Sequence, residues 1–158
     1  MSVVSREEIR KIAAELKAKG KKIVLANGCF DLIHIGHIRY LREAKSYADV
    51  LIVAINSDES VRSLKGPGRP LLPERERAEI VDSLEMVDYV FIFDEPDVRE
   101  ILRELRPDYH AKGGDYTPET VPEKDVAEAV GAKVIITGGG KVRSTSEIIK
   151  RIKELYRD

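Results

Sequence analysis

Short apolar runs that alternate with segments of helical periodicity constrain the fold of this chain more than any other feature. Four runs are rich in Val, Ile and Leu, and a weaker one opens a glycine turn; they occupy residues 22–27, 50–56, 89–93, 133–137 and 108–116. The strong runs show little polar alternation, as expected of strands buried on both faces of a parallel sheet. The order strand, helix, strand predicts an α/β fold. We therefore predict one Rossmann-like, doubly wound domain over residues 1–158.

Helical patterns separate the predicted strands. The first follows a capping box of Ser5 and Glu8, and its apolar residues recur at helical spacing until Gly20. We regard this helix, residues 5–19, as an addition to a core of about residues 22–153. Further helices are predicted at 36–47, 73–84, 96–105, 123–130 and 144–156, with a Gly- and Pro-rich loop at 64–73.

The composition excludes several classes of protein. A length of 158 residues favours one domain, and 27 basic against 28 acidic residues leave no charge excess for nucleic acid or a membrane surface. The single cysteine, Cys29, rules out an intrachain disulfide. The N-terminal residues are charged and no apolar run is long enough to span a bilayer, so we expect a cytoplasmic protein.

The stretch "NGCFDLIHIGH", residues 27–37, follows the first strand and begins the next helix. In open α/β sheets, ligands bind at the carboxyl ends of the strands, beside helix N-termini. Gly28 permits a tight turn, and Gly36 allows a ligand to approach the backbone. His34 and His37 lie one helical turn apart and project to the same side. Two imidazoles and free N–H groups at one point indicate a polyphosphate site.

Three other interpretations of this stretch remain open from the residues alone. Both histidines could be ordinary polar residues at a helix end. Asp31, His34 and His37 repeat at three-residue spacing and could hold a metal, although no cysteine pair supports this. Cys29 could act as a nucleophile, but only the histidines offer a neighbouring base.

A second phosphate signal lies near the C-terminus. Ser144 and Glu147 form a capping pattern, preceded by Arg143, Lys141 and three consecutive glycines. Hydroxyls, N–H groups and cations at one helix start would hold phosphates, although a well-capped helix is the simpler explanation. Cations on two other loops, Lys65 with Arg69 and Lys112 in "KGGDY", also follow predicted strands.

These motifs resemble a known family. "GCFDLIHIGH" is similar to the signature of the cytidylyltransferase-like nucleotidyltransferase superfamily, which contains Phe-Asp and His-x-Gly-His, and "STS" at 144–146 resembles its second phosphate motif, usually Ser-Thr-Thr. Residues 54–95 and "KGGDY" resemble bacterial heptose 1-phosphate adenylyltransferases, which occur alone or as half of a bifunctional kinase–adenylyltransferase. The resemblance runs from about residue 22 to residue 153.

The resemblance implies that a sugar-phosphate oxygen attacks the α-phosphorus of ATP and pyrophosphate leaves, which would yield ADP-heptose for surface glycans such as lipopolysaccharide. It assigns the reaction to His34, His37 and Lys65, with His37 the stronger stabiliser of the transition state. It assigns nucleotide contacts to Cys29, Phe30, Gly36, Gly114, Asp115, Arg143, Ser144, Thr145 and Ser146. It assigns contacts with the acceptor to Asp31, Asn56, Lys65 and Arg69.

The resemblance also implies partners. Mg²⁺ should accompany ATP, held by phosphate oxygens and water rather than by a protein cage. A separate sugar kinase would supply the sugar phosphate, and related enzymes commonly form homodimers. Glycerol 3-phosphate cytidylyltransferases and FAD-synthesising adenylyltransferases share the phosphate motifs and remain alternatives. A nucleotide-binding module without catalysis is a third alternative, which retention of both histidines disfavours.

Overall fold

A parallel sheet of five strands forms the centre of the computed structural model, which describes residues 3–140 and 143–157. The strands are β1 (Ile23–Gly28), β2 (Val50–Asn56), β3 (Tyr89–Phe93), β4 (Tyr109–Lys112) and β5 (Lys133–Ile136). Their spatial order is β3-β2-β1-β4-β5, and every adjacent pair is parallel. Successive strands therefore add on one side of β1 and then, from β4, on the other. This reversal creates a crevice between the carboxyl ends of β1 and β4.

Helices cover both faces of the sheet, which confirms the doubly wound architecture. They are α1 (Arg6–Ala18), α2 (Ile35–Ser46), α3 (Asp58–Lys65), α4 (Glu74–Asp82), α5 (Arg99–Leu105), α6 (Lys124–Ala129) and α7 (Thr145–Leu155). Buried residues of α1, α5 and α6 share one apolar cluster with the sheet, and those of α2 and α4 share the other. The predicted helix 5–19 corresponds to α1, whose buried Ile9 and Ala13 belong to the first cluster.

Strand β1 shows why the runs are apolar throughout. Its successive side chains point to opposite faces, so Leu25 enters the cluster beneath α1 and α5 while Val24 and Ala26 enter the cluster beneath α2. The apolar pattern ends at Asn27 and Gly28, where the strand reaches the crevice. Backbone groups and polar side chains are thereby presented at the carboxyl edge of the sheet.

Some predicted boundaries were wrong. Helix α3 was not predicted, and it includes the first two residues of the proposed loop 64–73. Helix α5 begins at Arg99 rather than at residue 96, and Pro73 precedes α4 as its N-cap instead of forming its first turn. The cation Lys141 lies outside the described residues. Within the described part of the chain, no helix is long and apolar enough to cross a membrane.

Candidate active site

A cavity of about 490 Å³ lies at the carboxyl ends of β1, β4 and β5. All the residues that the sequence assigned to catalysis or nucleotide contact line it, and so do three of the four assigned to the acceptor. They are Cys29, Phe30, Asp31, His34, Gly36, His37, Lys65, Arg69, Gly114, Asp115, Arg143, Ser144, Thr145 and Ser146. Asn56 does not line the cavity; it is 4% exposed, and its amide donates to Ser60 Oγ at 3.0 Å. The structure therefore brings together two motifs more than 100 residues apart in sequence.

The two histidines cap α2 with their rings. His34 Nδ1 accepts a hydrogen bond from Gly36 N at 3.1 Å, and His37 Nδ1 accepts one from His34 N at 3.2 Å. The ring centroids are 4.0 Å apart. Because each Nδ1 is an acceptor, the single proton of each neutral imidazole is on Nε2. The pair therefore offers two Nε2–H donors whose tautomers are fixed by the backbone.

Both imidazoles favour the neutral form. Burial, together with the neighbouring His34, lowers the pKa of His37 to about 4. Burial and the nearby Arg143 also lower the pKa of His34. At neutral pH the pair is therefore uncharged, so it is suited to donating hydrogen bonds and not to bearing a permanent positive charge.

Gly36 is required by the ring of His34. A Cβ at Gly36 would lie 2.8 Å from His34 Cε1 and 3.0 Å from His34 Nδ1, closer than atoms can pack. The sequence predicted that this glycine admits a ligand to the backbone. The structure shows a second reason for glycine at position 36, because a side chain at this position would displace the imidazole of His34 that caps α2.

Asp31 holds the loop that precedes α4. Its carboxylate, 2% exposed, accepts hydrogen bonds from Leu71 N and Leu72 N at 2.9 and 3.0 Å. It also pairs with Arg69 Nε at 3.0 Å. Both residues line the cavity, but their charges neutralise each other. Lys65, the last residue of α3, also lines the cavity and is exposed.

Arg77 is a residue that the sequence analysis missed. It is fully buried, and its guanidinium donates to Cys29 O at 2.7 Å, Asn56 O at 2.8 Å and Leu72 O at 2.9 Å. It also pairs with Asp58 at 2.8 Å. A buried guanidinium is tolerated only when its donors are satisfied in this way. Arg77 thus joins the ends of β1 and β2 to the loop before α4.

The second helix start lies across the cavity. Ser144 Oγ accepts from Glu147 N at 3.1 Å, which caps α7, and Thr145 Oγ1 contacts Leu32 O at 3.4 Å. The loops after β4 and β5 also touch, since a Cβ at Gly114 would lie 2.1 Å from Gly139 O. Only glycine fits this crossing. The starts of α2 and α7 therefore face one cavity, as expected for binding the two ends of a polyphosphate.

A family model described as cytidylyltransferase-like matches residues 25–156, which is most of the chain. The chain belongs to the cytidylyltransferase-like family. The predicted nucleotidyltransferase is thereby confirmed, and the match includes both phosphate motifs.

Curated proteins that share one name are similar to this chain. A protein named "Bifunctional protein HldE" from Geobacter metallireducens is 53% identical over 140 residues, covering 89% of this chain and 29% of its own. Its namesake from Syntrophotalea carbinolica is 48% identical over 151 residues, covering 96% and 31%. The chain thus spans about a third of the length of these curated relatives.

Solved structures agree on the fold. A lipopolysaccharide core biosynthesis protein from Thermoplasma volcanium aligns with a TM-score of 0.66 at 27% identity, over 78% of this chain and 100% of its own. A pantoate–β-alanine ligase from Francisella tularensis aligns with a TM-score of 0.69 at 20% identity, over 92% and 69%. The second likeness concerns the fold alone.

Two alternative interpretations of residues 27–37 were a nucleophilic Cys29 and a metal site that includes Asp31. Burial raises the pKa of the Cys29 thiol, which leaves it protonated at neutral pH and poorly nucleophilic. Asp31 is already bonded to the loop before α4. Among residues 3–140 and 143–157, no group of three or more His, Cys, Asp or Glu side chains is placed to hold a metal ion.

Other cavity residues were not assigned a role from the sequence. Tyr40 OH donates to Ala111 O at 2.7 Å and accepts from Asn27 N at 3.3 Å, so it fixes α2 to the ends of β1 and β4. Thr137 Oγ1 in turn donates to the backbone oxygen of Tyr40 at 2.9 Å. In the sequence, Tyr40 has the spacing of an ordinary core residue of α2, so no sequence pattern indicated its role in the cavity.

Proposed function

We propose that this chain transfers the adenylyl group of ATP to a heptose 1-phosphate, giving ADP-heptose and pyrophosphate. The observation that carries the proposal is the pair of neutral imidazoles with Nε2–H donors, set opposite a second helix start across one cavity. The resemblance of residues 54–95 to heptose 1-phosphate adenylyltransferases and the identity to relatives named HldE support the acceptor.

The reaction needs no general base. The attacking oxygen belongs to a phosphate that is already ionised, so a bond forms from this oxygen to the α-phosphorus without removal of a proton. The bond from the α-phosphorus to the bridging oxygen breaks, and its electron pair leaves with pyrophosphate. Catalysis then consists of positioning and of stabilising charge on the phosphorus oxygens.

His34 and His37 suit this task as neutral donors. A donor that is held in place before the reaction costs no reorganisation when charge develops, and removal of such a donor typically lowers the rate about 100- to 1000-fold. The Nδ1 hydrogen bonds hold both rings in place. His37 is the more buried of the two, which favours it as the group facing the α-phosphorus.

The other end of the triphosphate would lie at the start of α7. The hydroxyls of Ser144, Thr145 and Ser146, with Arg143 beside them, can donate hydrogen bonds to oxygens of the β- and γ-phosphates as pyrophosphate forms. Lys65 would meet the incoming sugar phosphate from the opposite side. Mg²⁺ would accompany ATP, held mainly by phosphate oxygens and water, and when bound it would neutralise phosphate charge.

The partners belong to the same proposal. A sugar kinase must supply the heptose 1-phosphate, and the word bifunctional in the relatives' name is compatible with a second activity in the part of those proteins that this chain does not cover. Cytoplasmic location and a homodimer remain predictions.

A panel of nucleotides and acceptors tests the proposal. ATP and CTP are each offered with heptose 1-phosphate, glycerol 3-phosphate and flavin mononucleotide in the presence of Mg²⁺, and pyrophosphate is measured. We expect release with ATP and heptose 1-phosphate above all other pairs. Faster release with CTP and glycerol 3-phosphate, or with ATP and flavin mononucleotide, would replace the acceptor. ATP binding without release in any pair would indicate a non-catalytic module.

A further inference from the structure

A second polar cluster lies on the wall of the cavity formed by the ends of β1 and β4. Asn27 and Lys112 both line the cavity, and each contacts a deeply buried polar side chain behind it. Leu25 and His110 are register partners, so Asn27 and Lys112, two residues further along their strands, lie side by side on the same face of the sheet. None of the phosphate-binding groups proposed above belongs to this cluster.

Lys112 is backed by Glu123. The ammonium nitrogen lies 3.9 Å from Glu123 Oε1, and the two side chains are only 11% and 4% exposed. That distance gives an ion pair but is too long for a hydrogen bond. The ring of Tyr116 also lies 4.9 Å from the ammonium. Glu123 Oε2 is buried and makes no hydrogen bond with any described residue.

Asn27 is backed by His110. The Nε2–H of His110 donates to Asn27 Oδ1 at 3.1 Å, and His110 is fully buried. Burial lowers the pKa of His110 to about 3, so the ring is neutral at physiological pH. With its amide oxygen engaged by His110, Asn27 has its NH₂ group as the side-chain donor for a ligand in the cavity that it lines.

The charge of this cluster selects a neutral ligand group. The ammonium of Lys112 is balanced by the carboxylate of Glu123, so the pair has no net charge to attract a phosphate. The cluster offers the N–H donors of Lys112 and Asn27, close to Glu123 Oε2, a carboxylate oxygen that accepts no hydrogen bond from the described residues. A hydroxyl group matches this environment because it both accepts and donates a hydrogen bond. An incompletely bonded buried ion pair is costly until such a group completes it.

We propose that Lys112 and Asn27 bind hydroxyl groups of a sugar in this cavity, and that Glu123 positions the Lys112 ammonium for that purpose. The inference extends the proposed function, since both the ribose of the nucleotide and the acceptor sugar carry hydroxyl pairs. It assigns the recognition of the sugar to the α6 side of the sheet and that of phosphate to the starts of α2 and α7.

The test uses equilibrium binding, measured by calorimetry with Mg²⁺, on Lys112→Met and Glu123→Gln. A matched control pair lies on α6, where Lys124 and Glu128 form an ion pair of 3.7 Å on the surface; Lys124→Met and Glu128→Gln should bind as the wild type does. Because Lys112→Met leaves Glu123 buried without a partner, the double variant Lys112→Met/Glu123→Met removes both charges and protects the measurement against misfolding.

Two arms distinguish the source of the hydroxyls. The first compares ATP with 2′,3′-dideoxy-ATP, and the second compares heptose 1-phosphate with inorganic phosphate in the presence of α,β-methylene-ATP, which cannot react. We expect Lys112→Met to weaken binding about 10- to 100-fold in one arm, for the hydroxyl-bearing ligand only. Loss in the first arm assigns the ribose, and loss in the second assigns the acceptor sugar.

Equal weakening for the ligands without hydroxyls would show that Lys112 contacts phosphate, and affinities unchanged in both arms would show no contact; either result overturns the proposal. Glu123→Gln should weaken binding less, and should add nothing in the Lys112→Met background, as expected of a positioning residue. Additive losses would contradict that role. Because binding is measured without turnover, a wild-type protein that binds but releases no pyrophosphate would refute the adenylyltransferase proposal while leaving this subsite testable.

Discussion

The β1–α2 loop (residues 29–34) and the α7 start (residues 143–146) both face the cavity, but they are built very differently. The β1–α2 loop is held at several points, by the buried Arg77 on Cys29 O, by loop amides on Asp31 and by backbone donors on both imidazoles. In the part of the chain that the structure describes, the α7 start has a serine cap, an Arg143–Glu147 ion pair and a long contact of Thr145 with Leu32 O, and no side chain of α7 is buried.

The difference indicates a division of labour. A group that stabilises a transition state must be held before the reaction begins, and the β1–α2 loop meets that requirement. A helix start whose helix buries no side chain can contribute binding energy but little preorganisation. We therefore expect changes in the β1–α2 loop and its supports to affect stability and kcat, and changes at the α7 start to affect the affinity for ATP.

Arg77→Met should have the largest effect. It removes a buried guanidinium that bonds three backbone carbonyls and Asp58, and the loss of one partner of a buried pair costs about 3–5 kcal/mol of the free energy of unfolding. Urea denaturation measures this cost. Arg75→Met, on the exposed side of the same helix, is the control and should cost under about 0.5 kcal/mol. A cost for Arg77→Met as small as that of the control would refute the central role of this residue.

His37→Ala should reduce kcat about 100- to 1000-fold, or about 3–4 kcal/mol, because it removes a preorganised donor. The Kd of ATP should change much less. Pyrophosphate release measures the first quantity, and calorimetry measures the second. Arg39→Ala, an exposed residue of the same helix, serves as the control. A variant with normal kcat and weakened ATP binding would show that this imidazole binds the ground state only.

Much of the fold could be predicted from the sequence because parallel strands are apolar on both faces. The bounds of β2 and β3 were predicted without error, since their runs are unbroken. Helix α3 was missed because it has few apolar residues; only Ser60 and Val61 are buried in it. Its cap, Ser57 Oγ accepting from Ser60 N, is a pattern that polar loops also contain.

In the candidate site, too, some residues could be predicted from the sequence and others could not. His34 and His37 were placed together because one helical turn joins them, a relation that sequence spacing contains. Asn56 was expected to contact the acceptor, and in the structure it is buried, bonded to Ser60, and does not line the cavity. Arg77 and Glu123 were missed because their importance depends on partners brought together by the sheet, and no local pattern records such contacts.

The pH dependence of stability should also separate the two regions. The pKa values of His37 and His110, about 4 and about 3 when folded, lie below the ordinary value of 6.5. The stability they provide is therefore complete above pH 6.5 and is lost as the pH falls toward the folded values. Each histidine contributes up to about 1.4 kcal/mol per pH unit in that window.

Unfolding free energies at pH 7.5, 6.5, 5.5 and 4.5 test this expectation, and His37→Gln should flatten the curve below pH 6.5. The α7 start contains no histidine, so Ser146→Ala, which changes no charge, should leave the shape of the curve unchanged. Curves of the same slope for the wild type and His37→Gln would contradict the low pKa of this imidazole.

Ser144→Ala should have the smallest effect on the whole molecule. An N-cap serine is worth about 1 kcal/mol to its helix, but α7 buries no side chain, so the loss should open α7 locally instead of unfolding the domain. Ser5→Ala provides a matched control, because Ser5 caps α1, whose Ile9 and Ala13 are buried. We expect Ser5→Ala to lower the global free energy of unfolding by about 1 kcal/mol.

Ser144→Ala should leave the global value nearly unchanged, accelerate hydrogen exchange of the α7 amides and raise the KM for ATP several-fold with kcat little altered. If both serines cost the same global free energy, α7 is as firmly attached as α1, and the contrast between the two helix starts does not hold. If kcat falls as far as in His37→Ala, the α7 start stabilises the transition state too, and the division of labour has to be abandoned.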